Sequence, residues 1–546
     1  MNPIKPIPTC AAITIFLLAA LACSSPQAAD HSDLGSIDFP TSASPEAQEH
    51  FITGMLLLHS FEFNDAREAF LEAQKVESDF AMAYWGEALT HNHLLWSRQN
   101  LEGAREAMER LGPTPEARIA KAPTEREKDY LRTLDILYGE GEKQERDIAY
   151  RDAMLRLAEK YPDDLEAASL AAVATLATSR GGRDYRIYMR AAAIVEEVFA
   201  KNPNHPGAAH YLIHSYDDPV HAPLGLRAAH VYAKIAPAAT HALHMPSHIF
   251  TAMGMWDEVV ASNVDSWAAS DSRVQRKNLS IDERSYHALK WLEYGYLQQG
   301  RYQEAREQLA IMEADTAATG SEKTRSHLVS MRAHYRIETR RWDSESIEVD
   351  TSGLGLSATA TDIFTRGLTA VRTNQASAAK PLLAELNRVI EEKRKKGKQH
   401  KHAADLKEQP PDQRKAHVLA RELEAAIHLA EGRADKAVML LEQATELQET
   451  LSLSYGPPDP VKPAHELFGE VLLELKRPQD AAEQFEKALD RAPKRALSLL
   501  GLARARSQSG GLDAARQDYA DLGQVWHKAD SDLPELGEVK QAAEKH

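Results

Sequence analysis

The chemistry of this chain gathers in two short stretches, HPGAAHYLIHSYDDPVH at His205–His221 and HALHMPSHIF at His241–Phe250. Eight of the 23 histidines lie between His205 and His248. Imidazole at that density supports three readings. As a neutral ligand it binds transition metals such as zinc, copper, nickel, manganese or iron, with aspartate as an additional donor. As a metal-free recognition group it donates to carboxylates and changes charge near neutral pH. As a structural residue it satisfies helix ends and turns, here around Pro219, Pro223 and Pro246. Two pairs carry the strongest spacing signal, His210 with His214 and His244 with His248, because residues four apart share one face of a helix.

These pairs must be positioned by a repeat. From Pro463 to Pro493 the chain reads PAHELFGEVLLELKRPQDAAEQFEKALDRAP, two amphipathic stretches joined at Lys476-Arg477-Pro478. Apolar residues at helical spacing predict an antiparallel helix pair there. A step of 34 residues takes Gly469 to Ala503, Ala481 to Ala515 and Phe485 to Tyr519, so small stays small and aromatic stays aromatic. Small residues let two helices approach, and the aromatic fills the gap to the next pair. Gly54, Ala66, Phe70 and Ala73 repeat the spacing near the N-terminus, and another pair runs from Tyr286 to Met312 with Gly300-Arg301-Tyr302 at its turn. If Pro237 closes one repeat as Pro493 closes another, the same step takes His210 to His244 and His214 to His248. Packed helices stand about 8–10 Å apart, which lets four such imidazoles converge.

Gly469, Ala481, Phe485, Ala488 and Pro493 fall where the tetratricopeptide consensus expects them, and the chain resembles that family. The segments H-P-G-A-A-H-Y-x-I-H and H-A-L-H-M-P-S-H-I-F resemble a group of bacterial tetratricopeptide proteins without a settled biochemical role. The resemblance implies an all-α, tetratricopeptide-type α-solenoid of antiparallel helix pairs, curved around a concave groove. It also implies that His210, His214, His244 and His248 face that groove and that His241 and His287 line it, with Asp217 and Asp218 one turn beyond His214. A protein or peptide partner, or a small ligand, is the expected occupant. In a linear array each repeat touches only its neighbours, so damage at Ala481 is expected to remain largely C-terminal.

Other chemistry is missing from the sequence. It holds no H-E-x-x-H, no G-x-S-x-G, no Walker loop and no G-x-G-x-x-G after a strand, so no catalytic residue is assigned. The first expectation is an exported cell-envelope scaffold that binds its ligand in the groove. The rival is a metal-binding protein or metal-dependent enzyme using the histidine cluster. Outside the cluster, His59, His91 and His93 are expected to pack or cap, and Glu166 to serve the dipole of its helix. Trp85, Trp96, Trp256 and Trp267 are expected between helices.

Lys plus Arg number 65 and Asp plus Glu 81, a net charge of −16 that argues against nucleic acid as a partner. Abundant Ala, Leu, Glu, Lys and Gln favour helices. Residues 1–22 have the form of an export signal: Lys5, then an apolar run from Ala11 to Ala22 too short to span a bilayer. Ala19 to Ser25 resembles a bacterial lipobox, with Ala20 in place of the usual Leu, which would make Cys23 a lipidated N-terminus on the periplasmic face of the outer membrane. The membrane is then reached through this lipid only; ordinary cleavage near Ala29 is the alternative. Cys10 and Cys23 are the only cysteines, so the mature domain has no thiol for chemistry. The expected segments are a tether at 23–46, repeats at 47–112, irregular pairs at 113–205, and the histidine-rich pair at 206–273. Further repeats follow at 274–390, then a charged insertion at 391–416, C-terminal repeats at 417–530 and a tail.

Overall fold

The computed structural model describes residues 33–343, 349–396 and 405–544; the segment expected to be an export signal, Cys23 and residues 397–404 of the charged stretch lie outside them. Apolar faces at helical period produce paired helices throughout. α1 (Pro45–His59) packs on α2 (Phe63–Val76), and α3 (Ala81–Thr90) on α4 (Leu101–Leu111). After α5 (Pro115–Ala120) come the pairs α6 (Glu125–Leu137) with α7 (Lys143–Lys160) and α8 (Leu165–Leu176) with α9 (Tyr185–Lys201). The histidine-rich region forms α10 (Pro206–Tyr216) with α11 (Ala222–Ile235), then α12 (Thr240–His244) and α13 (Pro246–Ala252) against α14 (Trp256–Lys277). Next are α15 (Tyr286–Gln298) with α16 (Tyr302–Thr319), the single α17 (Glu322–Thr339), and α18 (Leu356–Arg372) with α19 (Ala376–Lys396). The pairs α20 (Pro411–Ala430) with α21 (Ala434–Glu449), α22 (Ala464–Glu474) with α23 (Pro478–Arg491) and α24 (Ala496–Gln508) with α25 (Leu512–Val525) follow, and α26 (Leu536–Glu544) closes the chain. The protein is an all-α solenoid of tetratricopeptide type.

The packing reason read from the repeat is visible at both ends. A Cβ on Gly54 or Gly86 would stand 2.5 or 2.4 Å from the Phe70 ring, and one on Gly469 or Gly501 would stand 2.8 or 2.3 Å from that of Phe485. Each aromatic is therefore clamped between small residues of successive first helices. Among the described residues the only strands are a two-residue pair, β1 (Asn92–His93) and β2 (Arg98–Gln99), whose loop carries Trp96. No described helix is long and apolar enough to cross a membrane.

Three features depart from the sequence expectation. α14 continues through Lys277, across the boundary expected between the segments 206–273 and 274–390. α20 begins at Pro411, inside the stretch expected to be an exposed insertion, and α26 forms within the expected tail. The array also closes on itself. Arg273 and Lys277 of α14 pair with Asp65 of α2 at 2.5 and 2.8 Å. Gln298 of α15 accepts from the Ala496 amide at 2.9 Å and from the Trp526 indole at 3.1 Å. Arg495, fully buried, holds Glu466 at 2.7 Å and Glu338 at 2.7 Å and donates to the Tyr294 hydroxyl at 2.8 Å. Contacts therefore run between repeats far apart in sequence, and the linear expectation for damage at Ala481 does not describe this packing.

Candidate metal centre

The six groove histidines come from four neighbouring helices. His210 and His214 lie on α10, His241 and His244 on α12, His248 on α13 and His287 on α15. Met245 keeps helical dihedrals, −56° and −35°, so α12 runs into α13 across Pro246 and the H-x-x-x-H spacing survives. The start of α10 is set by its own sequence. His205 caps it by accepting the Ala208 amide on Nδ1 at 3.2 Å, and Pro206 takes the first helical position, where a missing N–H costs nothing. Gly207 lets the end of α1 come close, since a Cβ there would stand 2.4 Å from His59 Nδ1.

The rings divide into two sets of three. One nitrogen each of His210, His214 and His241 lie within 4.8 Å of one another, and so do one each of His244, His248 and His287. In the first set His210 donates from Nδ1 to the His59 carbonyl at 2.7 Å. A neutral imidazole has a single N–H, so its Nε2 is a bare lone pair. That atom and the Nε2 atoms of His214 and His241 are buried without a hydrogen-bond partner. In the second set His244 Nδ1 faces Asn263 Oδ1 at 2.7 Å, and the Asn263 amide nitrogen is turned to the Val259 carbonyl. His248 Nδ1 faces Asp217 Oδ2 at 2.9 Å. Both Nδ1 atoms are thus donors, and the two bare Nε2 atoms face each other at 3.2 Å. Facing lone pairs need a cation between them. Burial holds both rings below the usual histidine range, which disfavours a proton. Nitrogens around a tetrahedral zinc stand about 3.3 Å apart, so the spacing suits an ion.

No family model matches the chain. No curated protein matches it in sequence either. Solved helical-repeat structures align over most of its length at low identity. Yeast Tom70 is 13% identical, covering 91% of this chain and 95% of its own, at a TM-score of 0.29. Cut9 in the APC/C Cut9–Hcn1 hetero-tetramer is 14% identical over 87% of this chain and 79% of its own, at 0.34. Human IFIT1 with m7Gppp-AAAA is 13% identical over 90% and 92%, at 0.34.

Asp217 joins the two sets. Its Oδ2 accepts from His248 Nδ1 and stands 3.6 Å from His214 Nδ1, while Arg183 grips Oδ1. Burial opposes its charge, but Arg183 and the two imidazoles hold the carboxyl well below the usual carboxylate range. Its place is behind the rings, orienting them. Asp218 does not reach the sets; it accepts from the Val220 and His221 amides and from His221 Nδ1 at 2.9 Å.

His59, Glu166 and His205 form a third group, fully buried. The hydrogen bonds assign it a different role. The Ala208 amide occupies His205 Nδ1, so the proton sits on Nε2, which meets the Ser169 hydroxyl at 3.2 Å and stands 2.9 Å from Glu166 Oε1. The Tyr211 hydroxyl meets His59 Nδ1 at 2.9 Å, and His59 Nε2 meets Glu166 Oε2 at 2.6 Å. All four imidazole nitrogens are in use, which leaves no lone pair for an ion. Glu166 is thus more than a helix-dipole partner, and His59 more than a packed ring: together they fix the backbone carbonyl that orients His210.

The walls are aromatic. Phe61 lies 4.3 Å from the His210 ring centroid and 5.7 Å from that of His241. Trp291 stacks on His248 at 4.6 Å, as does Tyr455 at 5.4 Å. Tyr455 belongs to the segment 451–463, a strap between α21 and α22 that crosses to α15, where Gly456 abuts Trp291. Trp96, expected between helices, is 46% exposed and lies beside His241 at 6.2 Å. Tyr455 is 51% exposed. His210, His244 and His248 are thus buried, while His214, His241 and His287 keep partial exposure. Sequence reasoning missed Phe61, Asn263, Trp291, Tyr455 and Arg183. Only Trp291 left a local trace, one turn after His287.

Proposed function

We propose that the protein is a metal-binding solenoid whose two three-histidine sets each hold one transition-metal ion. The observation that carries this reading is the 3.2 Å approach of His244 Nε2 to His248 Nε2 with both Nδ1 atoms already committed as donors. Nδ1–H bonded to a carbonyl, amide or carboxylate oxygen is the usual outer support of a metal-bound imidazole, and His210, His244 and His248 all have it. Nitrogen donors favour zinc, copper, nickel or iron over magnesium and calcium. Three protein ligands per ion leave a position open, as in zinc sites that act on a ligand. Such an ion supplies Lewis-acid polarisation and an acidified bound water. Burial of His210, His244 and His248 favours an ion over a peptide at this place.

Metal-free protein offered zinc, copper, nickel, manganese or iron in turn and then desalted should retain near two ions per chain, one for each set. His244→Ala or His248→Ala should leave the first set filled, and His210→Ala or His214→Ala the second. Retention no greater than that of a variant lacking all four histidines, for all five metals, would overturn the reading. On the signal-like segment and the lipobox-like residues before Cys23, we also place the chain in the cell envelope on a lipid tether. Cys23→Ser should release it from membranes; native protein that is soluble and begins near Asp30 would contradict that placement.

A further inference from the structure

A cavity of about 190 Å³ lies against Lys290, one turn along α15 from His287. It is lined by Lys290, His327, His334 and the hydroxyl side chains of Ser326, Ser330, Ser357 and Thr361, with Pro457, Pro458 and Asp459 of the strap in its wall. Lys290 follows His287 by one turn on α15, so the two share a helix face. Strap residues Tyr455 and Gly456 cover His248 and Trp291, and the next three residues wall this cavity.

The donors here are unspent. Among the described residues Lys290 has no ion-pair partner, although α15 is packed within a protein rich in paired charges. The four hydroxyls form two pairs at helical spacing, Ser326 with Ser330 on α17 and Ser357 with Thr361 on α18. Hydroxyls in helices commonly donate to the carbonyl four residues back. Thr316, Thr339, Thr365 and Thr373 of this chain do so, at 2.7 to 2.9 Å. The four cavity hydroxyls make no hydrogen bond to any described residue. The one carboxylate in the wall, Asp459, is turned to Lys415 at 2.6 Å. His327 donates from Nδ1 to the Lys323 carbonyl at 2.8 Å, and His334 Nε2 meets the Pro458 carbonyl at 3.4 Å.

We propose that this cavity is a subsite for a phosphate group, set to hold the anionic end of a small ligand whose other end reaches the metal centre. Five donor groups converge, one of them cationic. A carboxylate has about four acceptor sites on two oxygens, whereas a phosphoryl group spreads its charge over three oxygens and uses converging donors more fully. The volume is below the roughly 300–1,000 Å³ of pockets for drug-sized ligands, which fits a small headgroup. The link to the centre rests on the metal reading above; the anion site itself does not.

Inorganic phosphate is the probe, titrated calorimetrically into the full chain with and without bound zinc, with acetate as the competing anion. Phosphate should bind the metal-free protein, and more tightly than acetate. Lys290→Gln should weaken it by roughly 10- to 100-fold, as expected for losing a charge-assisted partner. Ser330→Ala with Thr361→Val, which alters no charge, should weaken it less, and zinc stoichiometry should stay unchanged in both variants. Phosphate binding that appears only with zinc and is indifferent to both variants would assign the anion to the metal and overturn the subsite. Absence of phosphate binding in either form, or acetate binding as tight as phosphate, would overturn it too. Zinc retention in the same samples tells failure of the subsite from failure of the metal centre.

Discussion

Glu166 shows how a single buried charge is kept and what it supports. Burial works against its ionised form, yet the N–H groups of His205 and His59 outweigh that cost and hold the carboxyl below the usual carboxylate range. A carboxylate depressed in the folded state binds fewer protons there than in the unfolded chain, so it stabilises fully above its unfolded pKa, about 4.3, and that contribution fades as the pH falls further. The metal-free protein should therefore lose stability on acidification below about pH 4.3, and Glu166→Gln should flatten that limb while costing about 1–3 kcal/mol at neutral pH. Denaturant unfolding at a series of pH values measures both. A variant whose acid limb matches the parent's would show that Glu166 is not the group titrating. Little of this was legible in the sequence, because Glu166 and His59 stand 107 residues apart and nothing local links them. The paired histidines were legible, since spacing of four on a helix is a local property.

Helix α10 joins both kinds of information. Its H-P-G opening reads locally as cap, first-turn proline and small residue, and the structure adds the reason for the last of these: the His59 ring occupies the space a side chain would fill. Gly207→Ala should push α1 away from α10, at about 1–3 kcal/mol for an overpacked contact. Because the His59 carbonyl orients His210, the same change should weaken metal binding at the first set and spare the second. Stepwise metal titration would see one altered site and one intact; equal loss at both would mean that the helix, and not the hydrogen bond, had been disturbed. The helix pairs themselves were readable because glycine and phenylalanine recur at a fixed step. Trp96 and Tyr455 were not, since each sits on a connection between helices and reaches the histidines only after the array has curved.

At the scale of the molecule the repeats form a closed body in which α15 and α17 meet α22 and α24 through Arg495. The sequence carries the period but not the curvature, and it is the curvature that turns an Arg beyond Pro493 toward Glu338, which lies on a helix far earlier in the chain. Arg495→Met should leave buried Glu338 without its cation and Glu466 with Lys462 alone, and cost about 3–5 kcal/mol. Hydrogen exchange should then quicken in α15 and α17 as well as in α22 to α24. Change confined to the helices after α21 would mean that each repeat answers only to its neighbours. The closure also has a consequence in time. His59 finds the Tyr211 hydroxyl 152 residues later in the chain. At roughly 5–20 residues per second, a ribosome needs about 8–30 s to make that stretch. Glu166 arrives within that interval, 107 residues after His59, so the first histidine of the core to be synthesised gains the partner of one ring nitrogen before that of the other and must wait for α10 before its surroundings are complete.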